Sequence, residues 1–209
     1  MVWSSILGVL TAIGSASGFA ASFPLIVPIF GSMAAVGALT VFTSDRTKGV
    51  LEYLMAYGVS PRRLFANFLM AALAAISIVL VGAIGVSVGI YLAGGHTVSM
   101  SLLLLLVGYA IPMSYVSGAF ATTVGMYWSA LSSPREGIGS TIGLAPLFGV
   151  LPPVATLVLI GVFGATAGIT TDEFLLVTGS ALALIGVVVL YLLANLGHLL
   201  RRERLLSNS

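Results

Sequence analysis

Cysteine is absent from the 209 residues. Disulfides and thiolate chemistry are thereby excluded, and the redox compartment stays open. Charge is nearly absent as well: 7% of residues are Asp, Glu, Lys or Arg, while 59% are hydrophobic. A soluble domain carries about 25% charged residues. Lipid is therefore the expected solvent, and the bilayer sets the element lengths. No G-x-x-x-x-G-K-[ST] phosphate cradle occurs, so the chain is not expected to hydrolyse ATP itself. No ionisable residue falls in the middle of an apolar run. Proton and ion paths are built on such residues, which argues against an ion-coupled carrier. The N-terminus lacks a basic stretch, so no cleavable signal peptide is expected. His96 and His198 are far apart and read as loop and interface residues rather than metal ligands.

What is present is a series of apolar runs, each near the roughly 20 residues that a span requires. They cover about 2–21 and 25–43, broken at Ser22-Phe23-Pro24, then 64–93, 98–131, 137–168 and 174–200. The fifth run contains Pro146, Pro152 and Pro153. As one helix it would measure about 48 Å, more than the hydrocarbon core of about 30 Å. Two readings stay open: a span over about 137–155 followed by a re-entrant piece, or one tilted, kinked helix. The expected fold is an all-α integral membrane protein with a single domain over 1–209, a bundle of about six transmembrane helices whose fifth span is broken. The pairs Gly14/Gly18, Gly85/Gly89 and Gly164/Gly168 are spaced for close helix packing.

The eight basic residues are Arg46, Lys48, Arg62, Arg63, Arg135, Arg201, Arg202 and Arg204. With six spans, all fall on one face, which the positive-inside rule makes cytoplasmic, along with both termini. The segment 44–63, SDRTKGVLEYLMAYGVSPRR, is then a cytoplasmic island between two apolar runs. Its core, 47–57, favours a helix. Leu51, Leu54 and Met55 make one apolar stripe, and Lys48 and Glu52 form an i,i+4 pair on another face. Gly58 suits a left-handed C-cap, and Ser60-Pro61 reads as the N-cap and first residue of the next helix. The island either lies in the membrane interface, with Arg62 and Arg63 toward anionic lipid, or docks a soluble partner. The fourth run carries Tyr109, Ser114, Tyr115, Ser117, Thr122 and Thr123 around Pro112. Uncharged polar groups in lipid need partners, so these bond across helices or line a path for cargo.

The stretch DRTKGVLEYLMAYGVSPRRLF, 45–65, resembles the hallmark segment of type-2 ABC exporter permeases, with Gly49, Leu51, Glu52, Leu54, Val59, Ser60 and Arg62 on matching positions. The six-span plan and the broken stretch before the last span are also similar to that family. The family commonly begins with a basic amphipathic helix, whereas this chain passes from Met1-Val2-Trp3 directly into apolar sequence. The resemblance implies that 44–63 is a coupling helix region contacting a separate ABC ATPase subunit, which would hold ATP and Mg. It further implies a second permease copy, a cell-membrane location, and no cofactor or nucleic acid on this chain. Asp45, Lys48, Gly49, Leu51, Glu52, Leu54, Met55 and Arg62 are the expected docking residues. Leu51, Leu54 and Met55 would fill a groove on the partner, while Tyr109, Ser114, Tyr115 and Thr122 are candidates for a cargo path. The competing expectation is a non-transporting membrane protein, such as an assembly factor or immunity-type protein.

Overall fold

The computed structural model describes residues 16–97, 106–131, 147–159 and 171–199. Every element among them is helical: α1 (Ala16–Thr47), α2 (Val50–Ala56), α3 (Pro61–Ala93), α4 (Ile111–Leu131, entered through a π turn at Leu106–Ala110), α5 (Leu147–Leu159) and α6 (Thr171–Leu199). Among the described residues three helices are long and apolar enough to cross a membrane, over Val27–Thr47, Pro61–Ala93 and Asp172–Asn195.

α4 is the hub. It packs against α1, α3 and α6, and its Tyr109, Met113, Ser117, Ala121, Thr122 and Met126 flank are all fully buried. Glycines permit this closeness. A Cβ on Gly125 would lie 2.7 Å from Leu39 Cδ1 of α1, and one on Gly118 would overlap Ile76 of α3. On α3 and α6 the apolar side chains point outward instead. Ile78 and Val81, and Leu184 and Leu190, are about as exposed as side chains become. Apolar surface of that extent is unfavourable in water and costs nothing in lipid.

Two expectations about the spans are corrected. The turn at Ser22-Phe23-Pro24 is not formed: α1 runs unbroken through it. A proline in a helix costs about 3 kcal/mol. A break in an apolar medium strands several backbone groups at several kcal/mol each, so the helix continues. The parts of the first expected span before residue 16 lie outside the described residues, and the six-span plan is not reproduced among those that are described. In the fifth run, 147–159 is helical across Pro152 and Pro153 and does not end at about 155. Residues 137–146 and 160–168 lie outside the described residues, as do Gly164 and Gly168. Gly85 and Gly89 face outward, and among the described residues no atom is near enough to touch a Cβ there. Residues 85–89 read G-V-S-V-G, the spacing of a hydrolase nucleophile elbow, but they sit inside α3 rather than on a strand-to-helix turn.

Candidate docking segment

The segment between α1 and α3 is shaped by two left-handed glycines. Gly49, with φ of 72°, ends α1, and its N–H donates to the Arg46 carbonyl at 3.1 Å. α2 starts immediately afterwards. Gly58, with φ of 89°, ends α2: its N–H donates to the Met55 carbonyl at 3.0 Å and the Val59 N–H to the Leu54 carbonyl at 3.1 Å. This crossed pair of bonds is a Schellman cap, and Val59 and Leu54 also pack on one apolar cluster. α3 then opens on Ser60, whose Oγ accepts from the Arg63 N–H at 3.4 Å, with Pro61 in the first turn. The caps expected at Gly58 and Ser60-Pro61 are therefore present.

The break at Gly49 was not expected. Lys48 lies in the turn before α2, exposed, so Lys48 and Glu52 are not an i,i+4 pair on one helix. The signal was in the sequence: a basic last turn followed by glycine is a helix stop.

The apolar stripe of α2 points into the chain. Leu51 is 5% exposed and Met55 6%. They join Leu39 and Phe42 of α1, Leu64 and Phe65 of α3, and Met126 of α4 in one cluster, with Leu54 half-buried at its edge. Burying each of the two is worth about 2 kcal/mol. Phe42 fastens the base, edge-on to Phe68 at a centroid distance of 5.2 Å and tilted against Phe65 at 5.7 Å. Leu51 and Met55 thus cannot fill a groove on a partner, because the chain's own helices already cover them. Glu52 is half-buried, Asp45 likewise, and Glu52 sits in the field of Arg46. The charged residues at the surface of the segment are Lys48, Arg62 and Arg63. Beside them Tyr53 and Tyr57 are 61% and 74% exposed, with ring centroids 4.5 Å apart. This tyrosine pair was missed by sequence reasoning, although its i,i+4 spacing was legible.

The expected cargo-path residues face inward. Tyr109 is fully buried, and its hydroxyl donates to the Pro153 carbonyl of α5 at 3.2 Å. Ser114 donates to the Ala110 carbonyl at 2.6 Å, with the Val27 carbonyl of α1 at 3.5 Å. Thr122 donates to the Gly118 carbonyl at 2.8 Å. Tyr115, half-buried, shares a 2.7 Å hydrogen bond with Ser77 of α3. Three of these groups bond to backbone carbonyls and Tyr115 bonds to Ser77, along and between helices, as the interhelical alternative expects. Among the described residues no group of three or more His, Cys, Asp or Glu is placed to hold a metal ion.

The chain matches no protein-family model, no curated protein and no solved structure.

Proposed function

We propose that the chain is the membrane subunit of an ATP-driven exporter, moved by a separate ATPase subunit that binds at residues 44–63. One observation carries this reading. A short helix is packed against three long helices by its buried side, Tyr53 and its C-cap Tyr57 are exposed, and the exposed cations Lys48, Arg62 and Arg63 flank it in the turn before and the start of α3. Such an element passes a push on its outer face into the bundle instead of yielding to it. The resemblance of 45–65 to the type-2 ABC permeases supports the same assignment, with ATP and Mg held by the partner and a second permease copy completing the path. The cargo class is unassigned.

The ends of the bundle fit a cytoplasmic placement of the segment. Arg46 reaches Ser129 near the end of α4, while Tyr109 near its start meets Phe174 near the start of α6. Lys48, Arg62 and Arg63 therefore gather at one end, and Asp172 and Glu173 at the other. This is the segregation that the positive-inside rule expects.

The surface selects the partner's chemistry. Lys48, Arg62 and Arg63 call for an acidic rim, and the paired rings of Tyr53 and Tyr57 for an apolar floor. Glu52 is not the residue to test, because Glu52→Arg would set a second cation beside the buried Arg46. Lys48→Glu combined with Arg62→Glu alters only exposed groups. The pair is expected to leave the protein folded in the membrane and to abolish co-purification of an ATPase that the unaltered chain retains in mild detergent. Retention of that ATPase by the double variant overturns the docking role.

One feature favours the second reading, a non-transporting membrane protein. Exposed tyrosines beside Lys and Arg also suit the headgroup layer of an anionic membrane. In that case the double variant loses affinity for anionic lipid, and no ATPase accompanies either form.

A further inference from the structure

Two helices of the bundle are interrupted, and the interruptions meet. α4 is entered through the π turn Leu106–Ala110, and Pro112 is its second residue. A proline has no N–H to give, and its ring clashes with the carbonyl four residues before it, here that of Gly108. The wider π turn makes room where an α turn has none. α5 is helical across Pro152 and Pro153, so the Phe148 and Gly149 carbonyls lack the donors that an unbroken ladder would give them. The Tyr109 hydroxyl, from within the π turn, donates to the Pro153 carbonyl at 3.2 Å. Thr156 Oγ1 donates to the Pro152 carbonyl at 2.8 Å. Both proline carbonyls of α5 therefore take a side-chain hydroxyl, an arrangement that favours bending.

The two sides of this meeting point are held differently. Toward the docking segment α5 is pressed onto its neighbours. A Cβ on Gly149 would lie 2.8 Å from Ser32 Cβ of α1, and Phe148 stands edge-on to Phe120 of α4 at a centroid distance of 6.5 Å. At the opposite end α6 leans on the π turn itself, through Phe174 on Tyr109 and Leu175 beside Gly108. A packed helix that bends alone drives its side chains into its neighbour, because interiors are close-packed. A bend shared by two touching helices, each with its ladder interrupted at the same level, avoids that collision. We propose that the contact of Tyr109 with Pro153 is a hinge axis. Residues 106–110 of α4 and 154–159 of α5 swing about it as one body, held together by the Tyr109 hydroxyl. The swing parts or closes the end of the bundle opposite the docking segment. That an ATPase drives it rests on the function proposed above; the hinge itself does not.

The test uses the full chain in lipid vesicles without a partner. Because the sequence has no cysteine, exposed positions take spin labels with no background. Val107→Cys with Trp128→Cys spans the hinge along α4, and Val107→Cys with Val158→Cys joins the two swinging segments. The 107–128 distance is expected to show two populations, and the 107–158 distance one narrow population. Pro112→Ala restores the missing N–H and is expected to leave a single 107–128 population. Tyr109→Phe keeps the ring and removes the donor. It is expected to broaden the 107–158 distance while both 107–128 populations persist. A control pair, Trp128→Cys and Tyr191→Cys, toward the other ends of α4 and α6, is expected to stay unchanged in every variant. A single 107–128 population in the unaltered chain overturns the hinge, as do two populations that survive Pro112→Ala. A 107–158 distance that stays narrow in Tyr109→Phe overturns it too. So does broadening of the control pair, which would mean general loosening. Should Pro112→Ala not reach the membrane, the unaltered chain and Tyr109→Phe decide by the same criteria. ATPase binding is not read in this experiment, so the docking role can fail while the hinge stands.

Discussion

Tyr53 and Tyr57 show how much one side chain can depend on its neighbour four residues on. The hydrogen bond from Tyr57, with a smaller contribution from desolvation, holds the Tyr53 hydroxyl above its ordinary value of 10.0. A raised value means that the neutral form is favoured by the fold. The stabilisation is fully present below pH 10 and is lost as pH rises through the raised value. Tyr57→Phe is expected to bring the Tyr53 titration down to the ordinary range, read as tyrosinate absorbance. An unchanged titration means that the two hydroxyls do not interact in solution. At this scale the sequence was partly legible. The stripe of Leu51, Leu54 and Met55 announced a one-sided helix, but periodicity does not say whether a stripe faces the chain's own core or a partner.

Among the elements, caps were easy to read and proline-rich stretches were not. Gly58 and Ser60-Pro61 have strong local preferences and stop and start helices where expected. Pro24, Pro28, Pro152 and Pro153 are contained within helices, because backbone pairing inside an apolar bundle outweighs their local cost. Pro112 is the second residue after the π turn, which already interrupts the regular hydrogen-bond ladder. Close approach between elements separates the glycines further. A Cβ on Gly149 would lie 2.8 Å from Ser32 Cβ, an atom fixed to the α1 backbone. On Gly118 it would meet the end of Ile76, which can rotate away. Gly149→Ala is therefore expected to destabilise by about 1–3 kcal/mol, and Gly118→Ala by less. Thermal unfolding in detergent ranks the two, and the reverse order would show that α5 is less firmly seated on α1 than described.

Taken whole, the molecule inverts the usual relation between hydropathy and burial. The buried hub α4 carries many hydroxyls and is not among the helices apolar enough to qualify as spans, while the most apolar, α3 and α6, bury the least. The outward apolar faces of α3 and α6 are those of a membrane protein, and composition had already pointed to lipid and to several helices at once. It left the hub's inward polar face ambiguous between interhelical bonding and a path. The arrangement of ends makes a further prediction. With Tyr57→Cys and, separately, Thr97→Cys in the cysteine-free chain, a membrane-impermeant thiol reagent added to intact cells is expected to label residue 97 and spare residue 57. The opposite pattern would place the docking segment outside the cell and remove the proposed function.

α1 and α3 have 32 and 33 described residues, and the stretch of chain joining them forms the proposed docking segment. Each helix measures about 48–50 Å, against about 30 Å of hydrocarbon. A helix longer than the hydrocarbon tilts or projects, and by how much is set by the thickness of the surrounding membrane. A thicker membrane would draw the tyrosine platform toward the lipid surface, and a thinner one would lift it clear. Acyl-chain length thus becomes a dial on how far the platform reaches into the aqueous phase.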